Sequence, residues 1–167
     1  MGKSNASGKG GYVSAVQDSI DCVRVAARAA DAVKAEHLVA FDVTEPLAIT
    51  DIFMIAVGNN DRQVLAIAEE IEKQLHVQRQ RQARSREGLQ EAQWILLDYG
   101  DFVIHVMNPE AHEYYDLERL WRDCPLIDLQ LPEHEAGADQ AGDETDDETG
   151  DESSTADSGV PSAAERN

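Results

Sequence analysis

The chain has 167 residues, which is enough for one domain with a substantial hydrophobic core, and its formal net charge is −19. So acidic a chain argues against nonspecific binding to nucleic acid, whose phosphates would repel it, and favours a partner with a basic surface. The sequence contains no run of about 18 apolar residues, which argues against a membrane-spanning helix.

The negative charge is concentrated near the C-terminus. From Glu133 onward there are 12 acidic residues and one Arg, with too few apolar residues to offset the entropy of ordering the chain. We therefore predict a disordered N-terminus over residues 1–12, one folded domain over residues 13–131 and a disordered acidic tail over residues 132–167. One interpretation makes the tail the functional part, as a mimic of nucleic acid toward a basic partner.

The cysteines and histidines do not form a recognisable ligand motif. Cys22 and Cys124 have no CxxC or His/Cys cluster around them, so we expect reduced thiols in a cytoplasmic protein rather than a disulfide framework. His37, His76 and His112 have no partners at the spacing of metal ligands. We therefore expect neither a metal nor a cofactor.

The first predicted elements are a helix and two strands. Apolar residues recur at helical spacing over residues 14–35, and Ser14 with Gln17 has the spacing of a capping box. Apolar strands are predicted over residues 37–43 and 52–57. Together with a following helix, this order predicts a sheet with helices packed against it.

That second helix is predicted to begin after Asn60, which has the N-cap preference of Asn. Residues 77–93 follow and are rich in Arg and Gln. They are compatible with a weak edge strand and equally with a solvated loop. The segment has no aromatic residues interleaved among its arginines, so a nucleic-acid-binding role is disfavoured.

Residues 94–107 are predicted to form a β-hairpin. Two apolar halves flank Gly100, which accepts the positive φ that a tight turn requires. Strands as apolar as these are usually covered on both faces. Asn108 and Pro109 then have the signature of a helix N-terminus, and the apolar spacing predicts a third helix running through Trp121.

Only a partial set of catalytic groups is present. Asp42, Asp51 and Asp98 fall near predicted strand ends, where carboxylates on neighbouring strands can hold a magnesium ion. His105 lies among apolar residues in the middle of a strand, which is more typical of a hydrogen-bonded core residue than of a base. We expect no catalytic residues and no enzyme. The alternative is a metal-dependent, nucleotidyltransferase-like enzyme.

One strand of the hairpin carries a candidate binding surface. Trp94, Leu97, Asp98 and Tyr99 combine aromatic side chains with an acid. Trp and Tyr are enriched among interface residues that carry binding energy, because they bury a large area with few rotatable bonds. Spacing alone leaves a core role for Trp94 and Tyr99 equally open.

Four blocks of sequence carry a family resemblance. They are Asp42 to Phe53, Gly58 to Val64, Trp94 to Val106, and Tyr115 to Trp121. In this order and spacing they resemble the ribosomal silencing factor family, also called the Iojap-related proteins. The resemblance covers roughly residues 13–131.

The resemblance implies an α/β (α+β-like) domain with a mixed sheet flanked by helices, similar to a nucleotidyltransferase fold without its catalytic carboxylates. It implies binding to a basic protein on the joining face of the large ribosomal subunit, which sterically blocks the small subunit and represses translation when nutrients are scarce. The binding surface carries over to Trp94, Leu97, Asp98 and Tyr99, with Asp101 nearby. No membrane contact and no direct nucleic-acid binding are expected, and a homodimer is left open.

Overall fold

The computed structural model describes residues 14–133, so the predicted disordered segments lie outside the described residues, apart from the first two residues of the tail. Within this range, none of the helices has the length and apolar character needed to cross a membrane. The elements, in chain order, are α1 (Gln17–Ala32), β1 (His37–Asp42), β2 (Ile52–Val57), α2 (Asp61–Arg79), β3 (Ser85–Glu87), β4 (Trp94–Asp98), β5 (Phe102–Met107), α3 (Pro109–Tyr115) and α4 (Leu117–Trp121).

The five strands form one mixed sheet in the order β1-β2-β5-β4-β3. Strands β2 and β5 run parallel at its centre, and every other neighbouring pair is antiparallel. The parallel pair needs a long crossover connection, which α2, β3 and β4 provide. The predicted mixed sheet flanked by helices is confirmed.

The two faces of the sheet are covered differently. Helices α1 and α2 pack on one face, where alternate strand residues such as Met54, Leu97 and Ile104 are fully buried in the main core. The opposite face carries a smaller core around Ile55 and Met107, covered in part by α3, α4 and the segment that follows them. We call this second, partly covered side the open face.

Helix α1 begins later than predicted, and the expected capping box is not formed. Its N-cap is Val16, which makes no side-chain cap hydrogen bond. Instead, the carboxylate of Asp42 accepts a hydrogen bond from the Ala15 backbone N–H at 2.8 Å. A carboxylate is favourable beside a helix N-terminus because of the helix dipole. A carboxylate from the sheet therefore takes the place of a local Ser14 cap.

Helix α2 begins as predicted, because the Asn60 side chain accepts a hydrogen bond from the Gln63 backbone N–H at 2.9 Å. The helix ends where Gln80 adopts the left-handed conformation, with φ of 54°. The Arg- and Gln-rich segment then forms β3, an exposed edge strand paired with β4. The edge-strand interpretation of this segment is therefore confirmed over three residues.

Strands β4 and β5 form the predicted hairpin, with Trp94 opposite Met107 and Gly100 at a φ of +91° in the turn. The prediction of a continuous third helix is wrong. That helix is broken into α3 and α4 at Asp116, whose φ is 44°. Asp tolerates the left-handed region better than most residues, and a pattern of apolar spacing does not register such a break. At the start of α3, Asn108 caps as predicted.

Candidate functional site

Strand β4 divides the predicted binding residues between the two faces of the sheet. Side chains alternate along a strand, so Trp94, Leu96 and Asp98 face away from α1 and α2 and are half-buried. Leu97 lies in the main core with no exposed surface, and Tyr99 follows it there with 3% exposed. Of the residues predicted on this strand, Trp94 and Asp98 are the two that face the surface.

The expectation that Leu97 and Tyr99 present their side chains to a partner is therefore corrected. Trp94 and Leu97 are an odd number of residues apart, and a strand places such residues on opposite faces. The same rule, applied to the sequence, pairs Trp94 with Leu96 instead. Burial also raises the pKa of the Tyr99 phenol well above its usual value, which is consistent with a core position.

The carboxylate of Asp101, which is half-buried, is bound by other side chains of the domain. Its carboxylate accepts hydrogen bonds from the Arg81 guanidinium and from Ser19 Oγ, the latter at 2.5 Å. Arg81 also donates to the Tyr99 carbonyl at 3.2 Å. Partial burial raises the pKa of the Asp101 carboxyl, but the hydrogen bonds from Arg81 and Ser19 outweigh this and hold it below its usual range. Asp101 thus ties the hairpin turn to α1 and to the segment after α2.

Five ring-bearing residues form a continuous row on the open face. The Trp94 indole N–H donates to His105 Nδ1 at 2.9 Å, and the Trp94 ring centroid lies 4.6 Å from that of Tyr115. His105 in turn lies 4.1 Å from Phe53, and Phe53 lies 5.5 Å from Trp121, again between centroids. We call these five residues the aromatic row. Ring contacts at such distances are favourable and fix relative orientations.

His105, at the centre of the aromatic row, is confirmed as a hydrogen-bonded core residue. It is 4% exposed, and burial lowers its pKa to about 4, so the ring is neutral at pH 7. Because Nδ1 accepts from the Trp94 indole, the single ring hydrogen is on Nε2. The acceptor nitrogen is therefore occupied by Trp94, and His105 serves to orient that indole.

A groove of about 380 Å³ lies beside the exposed end of the aromatic row. Trp94, Leu96 and Tyr115 supply its apolar and aromatic surface, and Glu87 and Glu91 supply carboxylates. Its lining, all of it within the described residues, contains no Lys or Arg. The groove is therefore both aromatic and acidic, which suits a cationic segment with an apolar or aliphatic stem.

Gly88 allows the wall of this groove to form. Its φ is +82°, and a Cβ placed there would lie 2.0 Å from the Trp94 carbonyl oxygen. No residue with a side chain fits so close to a backbone atom, and few adopt this φ. The loop between β3 and β4 can therefore pass directly against Trp94.

The open face continues beyond the groove toward the hairpin turn. A second depression, of about 370 Å³, is lined by residues that include Ile49, Asp98 and Val103. Ile49 is 87% exposed, although it is a large apolar side chain. Asp98 accepts a hydrogen bond from the Gly100 N–H at 2.8 Å, which fixes its carboxylate at the turn. The exposed surface thus continues along β4, where it carries apolar side chains, the acidic Asp98 and the basic Arg84.

The three aspartates of the enzyme hypothesis, all within the described residues, do not form a group close enough to share a metal ion. Asp42 ends β1 and Asp98 ends β4, and these strands are separated by β2 and β5. Three strand spacings amount to about 14 Å, too far for one ion. The Asp42 carboxylate is instead used internally, by Ala15 and by the N–H and Oγ of Thr44 at 3.1 and 2.6 Å.

The histidines have no partners at metal-ligand spacing along the sequence, but the fold brings two of them to one carboxylate. Nε2 of His37 and Nε2 of His112 each lie 2.7 Å from the same carboxylate oxygen, Oε1 of Glu118. Distance along the chain hid this cluster, because the fold joins the first residue of β1 to α3 and α4.

A family model described as ribosomal silencing factor during starvation, RsfS, matches residues 16–155 of the chain. The chain belongs to the RsfS family. The Bacillus subtilis ribosomal silencing factor RsfS is 43% identical over 107 residues, which cover 64% of this chain and 90% of that protein. The factor from Halalkalibacterium halodurans is 38% identical over 110 residues, covering 66% and 93%.

A more distant relative is a mouse protein named mitochondrial assembly of ribosomal large subunit protein 1. It is 32% identical over 89 residues, which cover 52% of this chain and 39% of the mouse protein. An Arabidopsis thaliana relative carries the name Iojap-related. The predicted resemblance to the ribosomal silencing factors and Iojap-related proteins is therefore confirmed.

Solved structures of similar chains have the same fold as this RsfS family member. A crystal structure from Chromobacterium violaceum aligns with a TM-score of 0.58 at 28% identity, covering 72% of this chain and 94% of that one. One from Bacillus halodurans aligns with a TM-score of 0.56 at 35% identity, covering 65% and 97%. The similarity to nucleotidyltransferases stays a prediction.

Proposed function

We propose that this RsfS family member binds a basic protein on the joining face of the large ribosomal subunit through its open face. Bound there, it blocks the small subunit sterically and represses translation in the cytoplasm under nutrient limitation. The names of its relatives support the class of partner, since two of them are called ribosomal silencing factors and one is named for the large ribosomal subunit.

The observation that carries the proposal is the aromatic, acidic groove beside Trp94. Interfaces draw most of their binding energy from a few aromatic anchors that become fully desolvated. Trp94 and Tyr115 are such anchors, and Glu87 and Glu91 on the same wall attract a cationic partner. Complementary charge speeds association and selects against acidic partners.

The anchor is also held in place before a partner arrives. The Trp94 indole is fixed by its hydrogen bond to His105 and by contact with the Tyr115 ring. Ordering a side chain on binding costs about 0.5–1.5 kcal/mol for a flexible one. A side chain that is already ordered avoids most of that cost, so more of the free energy gained by burying it contributes to the affinity.

Steric blocking follows from the size of the domain. The described residues, 14–133, form a unit whose radius of gyration is expected to be about 14 Å. Two surfaces in contact leave no room for an object of this size, since nonbonded atoms in contact lie about 3.5–4.0 Å apart. A domain of this size at one point of contact therefore keeps the two surfaces apart without any chemistry.

Truncation of the anchor tests the proposed docking face. Trp94→Ala removes one of the two aromatic rings that line the groove, and we expect the affinity of the variant for isolated large subunits to fall by about 2 kcal/mol, roughly 30-fold. The measurement is co-sedimentation with purified large subunits over a range of protein concentrations. Val77→Ala is the matched control, because Val77 is an apolar side chain that is 66% exposed on α2, on the other side of the sheet.

Circular dichroism establishes that both variants are folded at the temperature of the binding measurement. If folded Trp94→Ala binds large subunits as tightly as the unaltered protein, the proposed docking face is wrong. If the unaltered protein does not bind large subunits at all, the proposed function fails with it.

A further inference from the structure

Three side chains from three elements meet at one edge of the sheet. His37 is the first residue of β1, His112 lies in α3 and Glu118 lies in α4. Both imidazole Nε2 atoms are 2.7 Å from Glu118 Oε1, and the three ligand atoms all lie within 4.8 Å of one another. Among the described residues this is the one group of three His, Cys, Asp or Glu side chains close enough to share a metal ion.

The break between α3 and α4 creates this cluster. In a continuous helix, residues 112 and 118 would point about 120° apart and be separated by about 9 Å along the axis. The left-handed conformation of Asp116 instead turns α4 back, so that Glu118 comes within hydrogen-bond distance of His112. The break that apolar spacing failed to predict is thus the feature that assembles the ligand atoms.

The chemistry of the three groups matches a transition metal. Imidazole nitrogens and one carboxylate are ligands that Zn²⁺ accepts, whereas Mg²⁺ and Ca²⁺ prefer an all-oxygen set. Tetrahedral Zn²⁺ with bond lengths of about 2.1 Å holds its ligand atoms about 3.4 Å apart. Each imidazole would need to withdraw from Glu118 Oε1 by less than about 1 Å, which is within the reach of side-chain rotation.

The cluster is accessible and the carboxylate is ionised. The side chains of His37, His112 and Glu118 are 44%, 30% and 29% exposed, so an ion can enter from solvent. Burial raises the pKa of the Glu118 carboxyl, but hydrogen bonds from His112 and His37 outweigh this and leave it below its usual value. A metal ligand must be deprotonated, and this one is at neutral pH.

We propose that His37, His112 and Glu118 form a binding site for Zn²⁺ or a similar divalent transition metal. Nε2 of each histidine and Oε1 of the glutamate are the ligand atoms, and a fourth position is left for water or an external ligand. The bound ion joins β1 to α3 and α4, the two helices that carry Tyr115 and Trp121. The site does not depend on the ribosome-binding proposal.

Metal titration of the full-length chain without an affinity tag tests the site. We expect calorimetry with Zn²⁺, in the presence of excess Ca²⁺ to occupy the acidic tail, to show one tight equivalent per chain. His37→Ala, His112→Ala and Glu118→Gln should each weaken this binding at least tenfold. His76→Ala is the matched control, because His76 is an exposed histidine on α2, and it should leave the affinity unchanged.

A measurement on the unaltered protein removes any dependence on how the variants fold. In nitrogen-15 spectra of the histidine rings, Zn²⁺ should shift the Nε2 signals of His37 and His112 and leave those of His76 and His105 in place. Absence of a tight equivalent would overturn the site. Tight binding that the three substitutions do not weaken, or that leaves the two ring signals unmoved, would place the metal elsewhere and overturn it as well.

Discussion

At the scale of single residues, the hydrogen bond between Trp94 and His105 makes the orientation of the Trp94 indole depend on the protonation state of His105. His105 Nδ1 can accept the indole hydrogen bond only while the ring is neutral, since a protonated imidazole is a donor at both nitrogens. Burial against Phe53 and Trp94 keeps it neutral at pH 7. The orientation of the proposed anchor therefore depends on a buried neutral histidine.

This dependence predicts how stability changes with pH. Burial lowers the pKa of His105 from its ordinary value of 6.5 to about 4 in the folded protein, so between these values the unfolded chain binds the proton more readily. The free energy of unfolding therefore has its full value with respect to His105 above pH 6.5. It decreases as pH falls toward 4, by up to about 3 kcal/mol.

The variant His105→Gln isolates this effect, because Gln can still accept a hydrogen bond from Trp94 and does not titrate. We expect urea unfolding at several values between pH 4 and 7 to show a steeper loss of unfolding free energy for the unaltered protein than for the variant. Equal slopes for the two proteins would mean that His105 is not buried neutral in the folded state.

At the scale of elements, the loop between β3 and β4 and the turn between β4 and β5 each contain a glycine with a positive φ, but the two glycines differ in what surrounds them. Gly88 and Gly100 have φ values of +82° and +91°. A Cβ at Gly88 would meet the Trp94 carbonyl oxygen at 2.0 Å, whereas a Cβ at Gly100 would meet the Arg84 guanidinium at 2.7 Å. A long, exposed side chain can move aside, but a carbonyl inside a sheet cannot.

Substitution of each glycine by Ala should therefore give different losses. Gly100→Ala should lower the free energy of unfolding by about 1 kcal/mol, the cost of the left-handed conformation alone. Gly88→Ala adds a backbone collision and should cost at least about 2 kcal/mol more. Denaturant unfolding of the two variants measures this, and equal losses would show that the approach of Gly88 to Trp94 is not as close as described.

Much of the fold could be predicted because the signals are local. The hairpin at 94–107 and the caps at Asn60 and Asn108 follow from apolar runs and from short hydrogen bonds within one segment. The break at Asp116 did not follow, and Glu118 beyond it makes its contacts with residues of other elements. The spacing of apolar residues in the local sequence does not indicate such contacts.

The candidate site could be predicted in part. The strand that carries Trp94 and Asp98 could be identified, and the alternation of side chains would have excluded Leu97 from the surface. The ring contact between Trp94 and Tyr115 could not be predicted from the sequence, and neither could the position of Glu87 in the groove wall. They depend on where α3 and the β3–β4 loop come to rest against the sheet, which is a tertiary property.

At the scale of the whole molecule, the two faces of the sheet differ in how much of their surface is covered. Helices α1 and α2 close one face of the sheet, while the open face keeps aromatic and acidic groups within reach of a partner. The net charge of −19 also attracts a basic partner, and it acts over a longer range than the groove does. Such a charge raises the rate of encounter with a basic surface, and the groove determines how long the complex lasts.

The fraction of purified subunits that join, followed by light scattering, is the most direct test of the proposed silencing. Excess unaltered protein is expected to lower the fraction of joined ribosomes, and a chain ending at Glu133 should do the same because it keeps the open face. Trp94→Ala should need roughly 30 times more protein for an equal effect. If subunits join equally well with and without the unaltered protein, or if Trp94→Ala is as effective as the unaltered protein, silencing through the open face is contradicted.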